Sequence, residues 1–211
     1  MGPNGSGKSS IAYALAGHPA YEITRGLVSL GGDNLLDLKP EERAAKGLFL
    51  SFQEPPEVGG VSLNTFLRAI STKEGGGEEC ANTSVLTTLG LEDAFLSRFL
   101  NEGFSGGEKK KSEVLQLISR RPKFAILDEI DTGLDIDALS GMVSLLREAA
   151  AGGCGLILIS HAFPLFEKLR PDFVHILLSG TVPASGGPEV IDKLKGNGYS
   201  ALAKTIEAKP L

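Results

Sequence analysis

MGPNGSGKSSIAYALAG, residues 1–17, opens the chain with a glycine-rich loop running into a helix. Within it Gly2-Pro3-Asn4-Gly5-Ser6-Gly7-Lys8-Ser9 fills every fixed position of the pattern GxxxxGK[ST], and the residues that follow read as a helix stopping near Gly17. Each residue type has a chemical reason. Gly2, Gly5 and Gly7 permit backbone conformations and close approaches denied to residues with a Cβ, so consecutive N–H groups can wrap phosphate oxygens. Lys8 adds a mobile cation, and the Ser9 hydroxyl can ligate Mg2+. The unpaired amides and dipole of the helix N-terminus favour the same negative charge. A phosphate loop of this kind normally follows a buried strand, yet its first glycine is the second residue here, so strands are expected ahead of Met1.

Outward from the loop, Gly26 to Leu30 and Asp33 to Leu38 flank Gly31-Gly32 and predict a small hairpin. Pro40 to Ala45 predicts a helix, and Leu48 to Phe52 a buried strand that Gln53-Glu54-Pro55-Pro56 breaks. Helical spacing then dominates through Leu63, Phe66, Leu67 and Ile70, through Val85, Leu86 and Leu89, and through Val114, Leu115 and Ile118. Gly75-Gly76-Gly77 marks a loop among them. After Pro122, strands at Phe124 to Leu127, Gly155 to Ile159 and Val174 to Leu178 alternate with helices at Ile136 to Ala150 and from Glu189. That order predicts an α/β core of mostly parallel sheet over residues 1–53 and 122–211, with an inserted helical subdomain over about 54–121.

Two of those strands end in groups that can do chemistry. Phe124-Ala125-Ile126-Leu127 runs into Asp128-Glu129, which places two carboxylates at the sheet edge where ligands sit in such folds. Strand alternation would send them in different directions, Asp128 to Mg2+ and Glu129 to an attacking water as base or orienting group. Leu156-Ile157-Leu158-Ile159-Ser160 likewise delivers His161 to that edge as a donor to the γ-phosphate and an aligner of Glu129. His18 and His175 have no such setting and read as structural.

Composition sets the outer limits. The 211 residues are 42% hydrophobic and 22% charged, which suits one domain with a subsidiary lobe. No apolar run approaches the roughly 20 residues of a membrane span, so direct membrane insertion is not expected. A net charge of −5 argues against nucleic acid as principal ligand. Cys80 and Cys154 lack Cys or His neighbours at ligand spacing and read as reduced thiols. No charged, apolar and cleavage regions of a signal peptide open the chain, which predicts a cytoplasmic protein.

Phe104-Ser105-Gly106-Gly107-Glu108 forms a second glycine-rich turn opening a helix, this time inside the inserted segment. Two phosphate-binding ends on one chain suit a head-to-tail homodimer in which Ser105, Gly106 and Gly107 of each copy cover the nucleotide of the other. This turn resembles the ABC signature motif. In the ABC ATPase order stand the phosphate loop, Gln53 as Q-loop, Ser105 to Glu108, Asp128-Glu129, Asp131 to Asp135 as D-loop, and His161. The resemblance implies a phosphate-loop NTPase fold that binds and hydrolyses ATP with Mg2+. It also implies a Gln53 that touches both the γ-phosphate and the metal. Within the family, FSGGEKKKSEVLQL (104–117), DEIDTGLDIDAL (128–139) and PDFVHILLSG (171–180) resemble the SufC branch of iron-sulfur cluster assembly ATPases. That branch implies soluble scaffold partners of the SufB and SufD type in place of a permease.

Against the family pattern, Ser10 stands where threonine is usual, and Ala162-Phe163 follows His161 where an aromatic more often comes directly. Family members also carry strands before the phosphate loop, with an aromatic residue that stacks on adenine. Their absence here predicts an empty central strand position. Lys109-Lys110-Lys111 reads as a solvated helix face. Two alternatives stay open: the ATP-binding subunit of an ABC transporter, and a nucleotide-binding assembly module without turnover.

Overall fold

The computed structural model of the chain describes residues 1–71 and 83–207; Gly75-Gly76-Gly77 and Cys80 lie outside them. In chain order the elements are α1 (Lys8–Ala16), the short strands β1 (Ser29–Leu30) and β2 (Asp33–Asn34), α2 (Pro40–Ala45), β3 (Leu48–Ser51) and β4 (Val58–Ser62). Next come α3 (Leu63–Ile70), α4 (Thr83–Thr88), a 3-10 turn at Asp93–Ser97, β5 (Phe99–Leu100), α5 (Gly106–Arg120) and β6 (Phe124–Asp128). The rest is α6 (Ile136–Ala151), β7 (Gly155–Ile159), α7 (Phe163–Leu169), β8 (Val174–Leu178), β9 (Thr181–Gly186) and α8 (Glu189–Glu207).

The apolar runs after Gly47, Lys123 and Cys154 form one parallel sheet in the order β3-β6-β7. Residues of β6 alternate between its two faces as the strand period of two requires. Ile126 packs with Ala12 of α1, Leu48 and Ile159 on one face. Ala125 and Leu127 point to the other, where they join Leu63 and Leu67 of α3, Val114, Leu115 and Leu117 of α5, and Met142 and Leu146 of α6. That second cluster is continuous from the sheet into the segment predicted as an insertion, so α3 and α5 share their apolar core with β6 and α6. A third cluster joins Phe166 of α7, Val174 and Ile176 of β8, and Val190, Ile191 and Leu194 of α8.

Several elements escaped the sequence reading. β4 pairs antiparallel with β5 at the edge of the helical segment, and β8 turns back into β9 as an antiparallel hairpin. Parallel pairing is thus confined to β3, β6 and β7 among the described residues. On the far side of β7, Ile157 is 37% exposed. Met1 runs beside β8 instead: its ammonium donates to the His175 carbonyl at 2.7 Å, and its carbonyl accepts from the Leu177 N–H at 2.8 Å. Gly2 follows so closely that a Cβ there would lie 2.3 Å from the Leu177 carbonyl oxygen. The loop therefore leaves β8 without room for any other residue type.

Candidate functional site

Gly7 caps α1 in the left-handed conformation (φ 101°), and no side chain closes the helix end. A glycine reaches that backbone at no steric cost, and the turn it makes leaves the first amides of α1 open to an incoming anion. Asn4, Gly5, Gly7, Lys8, Ser9 and Ser10 line an open cavity of about 400 Å³ there, together with Gln53, Glu129 and His161. Gly2, Pro3 and Ser6 do not line it. Gly2 is buried against β8, and the buried Ser6 carries its carbonyl to the Gly180 N–H. The Pro3 carbonyl instead accepts from the Lys8 ammonium at 2.9 Å, which bends that side chain back over its own loop.

Asp128 occupies the same strand parity as Ile126, so its carboxylate faces α1 and Ser9. It is 2% exposed, with the Ser9 hydroxyl beside it as a hydrogen-bonding neighbour. Burial raises its pKa above the ordinary carboxylate value and the nearby Glu129 adds to the rise, while the Ser9 hydroxyl and the charges of Lys110 and Lys8 oppose it. A buried carboxylate beside a serine hydroxyl at a helix start is a donor set suited to a hard cation such as Mg2+.

Glu129 departs from the expected geometry. The strand ends at Asp128, and Glu129 adopts φ 49°, a left-handed conformation that costs a non-glycine residue of the order of 1 kcal/mol or more. Its N–H is tied to the Ile159 carbonyl at 2.8 Å and its carbonyl to the Thr132 N–H at 3.2 Å. The two carboxylates diverge because the backbone turns, not because the strand alternates. The turn aims Glu129 into the cavity, where Oε2 accepts from the Gln53 amide at 2.9 Å and Oε1 lies 3.6 Å from His161 Nδ1. Gln53, Glu129 and His161 thus meet at the mouth of the phosphate loop from the ends of three adjacent strands.

Ser105, Gly106 and Gly107 lie outside that cavity. Ser105 is the N-cap of α5: its Oγ accepts from the Glu108 N–H at 3.2 Å, and Glu108 returns the favour to the Ser105 N–H at 2.8 Å. That N–H, followed by Arg98, holds the Glu108 carboxyl below the usual carboxylate range. Arg98 bonds Glu108 at 2.6 Å and the Gly103 carbonyl at 3.0 Å while packing over the rings of Phe95 and Phe104. Gly107 abuts the next functional loop, for a Cβ there would meet the Gly133 carbonyl oxygen at 3.2 Å.

Residues 1–132 match the family described as ABC transporter. The chain belongs to that family. An ABC relative from Streptococcus pyogenes serotype M18, named a probable ABC transporter ATP-binding protein, is 41% identical over 98% of this chain and 84% of its own length. Vegetative protein 296 of Bacillus subtilis strain 168 is 43% identical over 98% of this chain and 82% of its own. Among solved structures, the ATP-binding subunit of an ABC transporter superposes with a TM-score of 0.76 at 24% identity, covering 98% of this chain and 86% of that one. A dimeric ATP-binding cassette bound to ADP and phosphate gives 0.74 at 18% identity over 89% and 83%. The chain is an ATP-binding subunit of the ABC type with the phosphate-loop NTPase fold.

Lys109-Lys110-Lys111 is not the solvated face that its charge suggests. Lys110 is 5% exposed and forms no part of a solvated face; it is buried beside Glu113. The signal was present in the spacing, since Lys110 shares the inward stripe of α5 with Val114 and Leu117 at i+4 and i+7. Burial pushes the Glu113 carboxyl up to about 7, against the opposing pull of Lys110 and the Phe52 N–H. Ser160 was also missed: its hydroxyl donates to Asp131 at 3.0 Å and accepts from the Ala162 N–H at 2.9 Å, which fixes the backbone on both sides of His161.

Proposed function

We propose that this chain hydrolyses ATP as one half of a head-to-tail homodimer, and that the hydrolysis drives iron-sulfur cluster assembly on a SufB/SufD-type scaffold in the cytoplasm. The observation that carries the hydrolytic reading is the meeting of Gln53, Glu129 and His161 at the open end of the phosphate-loop cavity. The loop amides of Asn4, Gly5 and Gly7 and the Lys8 ammonium stabilise the charge of the triphosphate, with Ser10 beside them. Ser9 and Asp128, with Gln53 nearby, would hold Mg2+, which would supply charge neutralisation to the phosphoryl group being transferred. Glu129 accepts the proton of the attacking water or orients it, Gln53 fixes the carboxylate, and His161 donates to the γ-phosphoryl oxygens. A second copy adds the Ser105 hydroxyl and the Gly106 and Gly107 amides to the same phosphate. Replacing Glu129 by Gln keeps the shape and removes the base, so turnover should fall roughly 100-fold or more while an ATP-bound dimer accumulates in size-exclusion chromatography. Parent-rate hydrolysis by E129Q would remove Glu129 from this role.

The scaffold partner rests on the wording of residues 104–117, 128–139 and 171–180. Among the described residues no helix is long and apolar enough to cross a membrane. A second reading, a transporter subunit docked on a permease, is favoured by the names of relatives such as the Streptococcus pyogenes protein. Affinity purification of the tagged chain from detergent-solubilised cells decides between them. Recovery of soluble cluster scaffolds supports the first, and recovery of an integral membrane protein without them overturns it.

A further inference from the structure

Two buried titratable side chains on α5 reach the backbone of Phe52 and Gln53, the segment that carries the Gln53 side chain into the site. Glu113 Oε1 accepts from the Phe52 N–H at 2.6 Å. Lys110 Nζ donates to the carbonyls of Phe52 and Gln53, both at 2.9 Å, and lies 3.8 Å from Glu113 Oε2. The side chains are 6% and 3% exposed. A pair so desolvated gains little stability over an apolar pair of the same shape, because the cost of removing both charges from water offsets their attraction. What the pair does provide is definition. It grips the backbone on both sides of Phe52 where the chain leaves β3, and the next side chain, Gln53, holds Glu129 at 2.9 Å. The same α5 begins at Ser105, about 7.5 Å along its axis from Lys110 at 1.5 Å per residue.

We propose that Lys110 and Glu113 are positioning residues for hydrolysis, which clamp the Phe52-Gln53 backbone so that the Gln53 amide presents Glu129 to the water. They thereby tie the placement of the signature helix to the base within one subunit. A shift of α5 when the signature turn engages a partner's nucleotide is delivered to Glu129 through Lys110, the Gln53 backbone and the Gln53 side chain, all short and hydrogen-bonded. The proposal rests on the hydrolytic reading above.

The test is steady-state ATPase kinetics of the full chain carrying E113Q, K110M and K110R, alone and with Q53A. E113Q retains an acceptor for the Phe52 N–H, and K110M retains the apolar stem. The expected result is a fall in kcat of about tenfold for K110M and a smaller fall for E113Q, with KM for MgATP changed less than twofold and K110R recovering part of the loss. In the Q53A background K110M should reduce kcat by less than a further twofold, since its route to Glu129 is already cut. Folded variants with parental kcat, or a K110M effect that multiplies undiminished with Q53A, would overturn the proposal. A parent chain without turnover would instead count against the hydrolytic reading. Amide exchange at residues 52–54 then tests the clamp itself: K110M and E113Q should speed it at least tenfold, and parental protection in both sinks the clamp.

Discussion

The two glycine-rich helix starts of this chain solve one problem in opposite ways. At α1 the N-cap is Gly7, no side chain closes the end, and the first turn carries no acid. At α5 the N-cap is Ser105, a reciprocal capping box closes it, and Glu108 sits in the first turn under Arg98. An open end with a lysine beside it is built to take most of a polyanion's charge. A closed end, whose serine hydroxyl already accepts a hydrogen bond and has its own proton to give, is built first to hold its shape. On the proposed reading the open end binds the nucleotide and the closed end completes the site of a second copy.

The largest effect that could break this division is loss of the open cradle's cation. Lys8→Ala should weaken ATP binding about 100-fold, the worth of roughly 2 to 3 kcal/mol of charge-assisted contact, as read by titration with a fluorescent ATP analogue. If binding were lost equally on changing Ser105, the two ends would not differ in role. Ser105→Ala should instead leave the nucleotide affinity of a single copy within about twofold and cut turnover roughly tenfold, the worth of about 1.4 kcal/mol of one contact made in the closed pair. Its signature is a fall in kcat together with weaker ATP-dependent dimerisation in analytical ultracentrifugation.

Both helix starts were legible in the sequence for local reasons, while the capping box that closes one of them was not read there. GPNGSGKS and FSGGE carry their meaning in consecutive residues, and the runs ending in Asp128-Glu129 and His161 carry theirs in apolar continuity followed by polarity. Element type followed wherever the run was long, as in β6, α6 and β7. What else failed was non-local. β4 and β5 are short strands that exist because they pair with each other, and no periodicity in two or five residues announces that. The left-handed turn at Glu129 is imposed by its bond to Ile159, 30 positions away in the chain. Lys110 reads as a surface charge in the sequence because its partners are the backbone carbonyls of Phe52 and Gln53, which a side-chain pattern does not display.

The smallest effect sharpens the comparison by pH. Glu108 is held below the usual value of 4.5 first by the Ser105 N–H and then by Arg98, so its ionised form stabilises the folded signature turn. A depressed carboxyl contributes stability that is fully present above its unfolded pKa and is lost as pH falls through the folded value. Glu108→Ala should therefore lower stability by about 1 kcal/mol at neutral pH, a drop in Tm of roughly 2 to 4 °C for a chain of this size. The gap between parent and variant should close on acidification below 4.5. The open end of α1 has no acid in its first turn to titrate in this way. Thermal melts of both proteins across that range, followed by circular dichroism, check the sign: a gap that widened in acid would mean that Glu108 is tolerated in the turn and does not shape it.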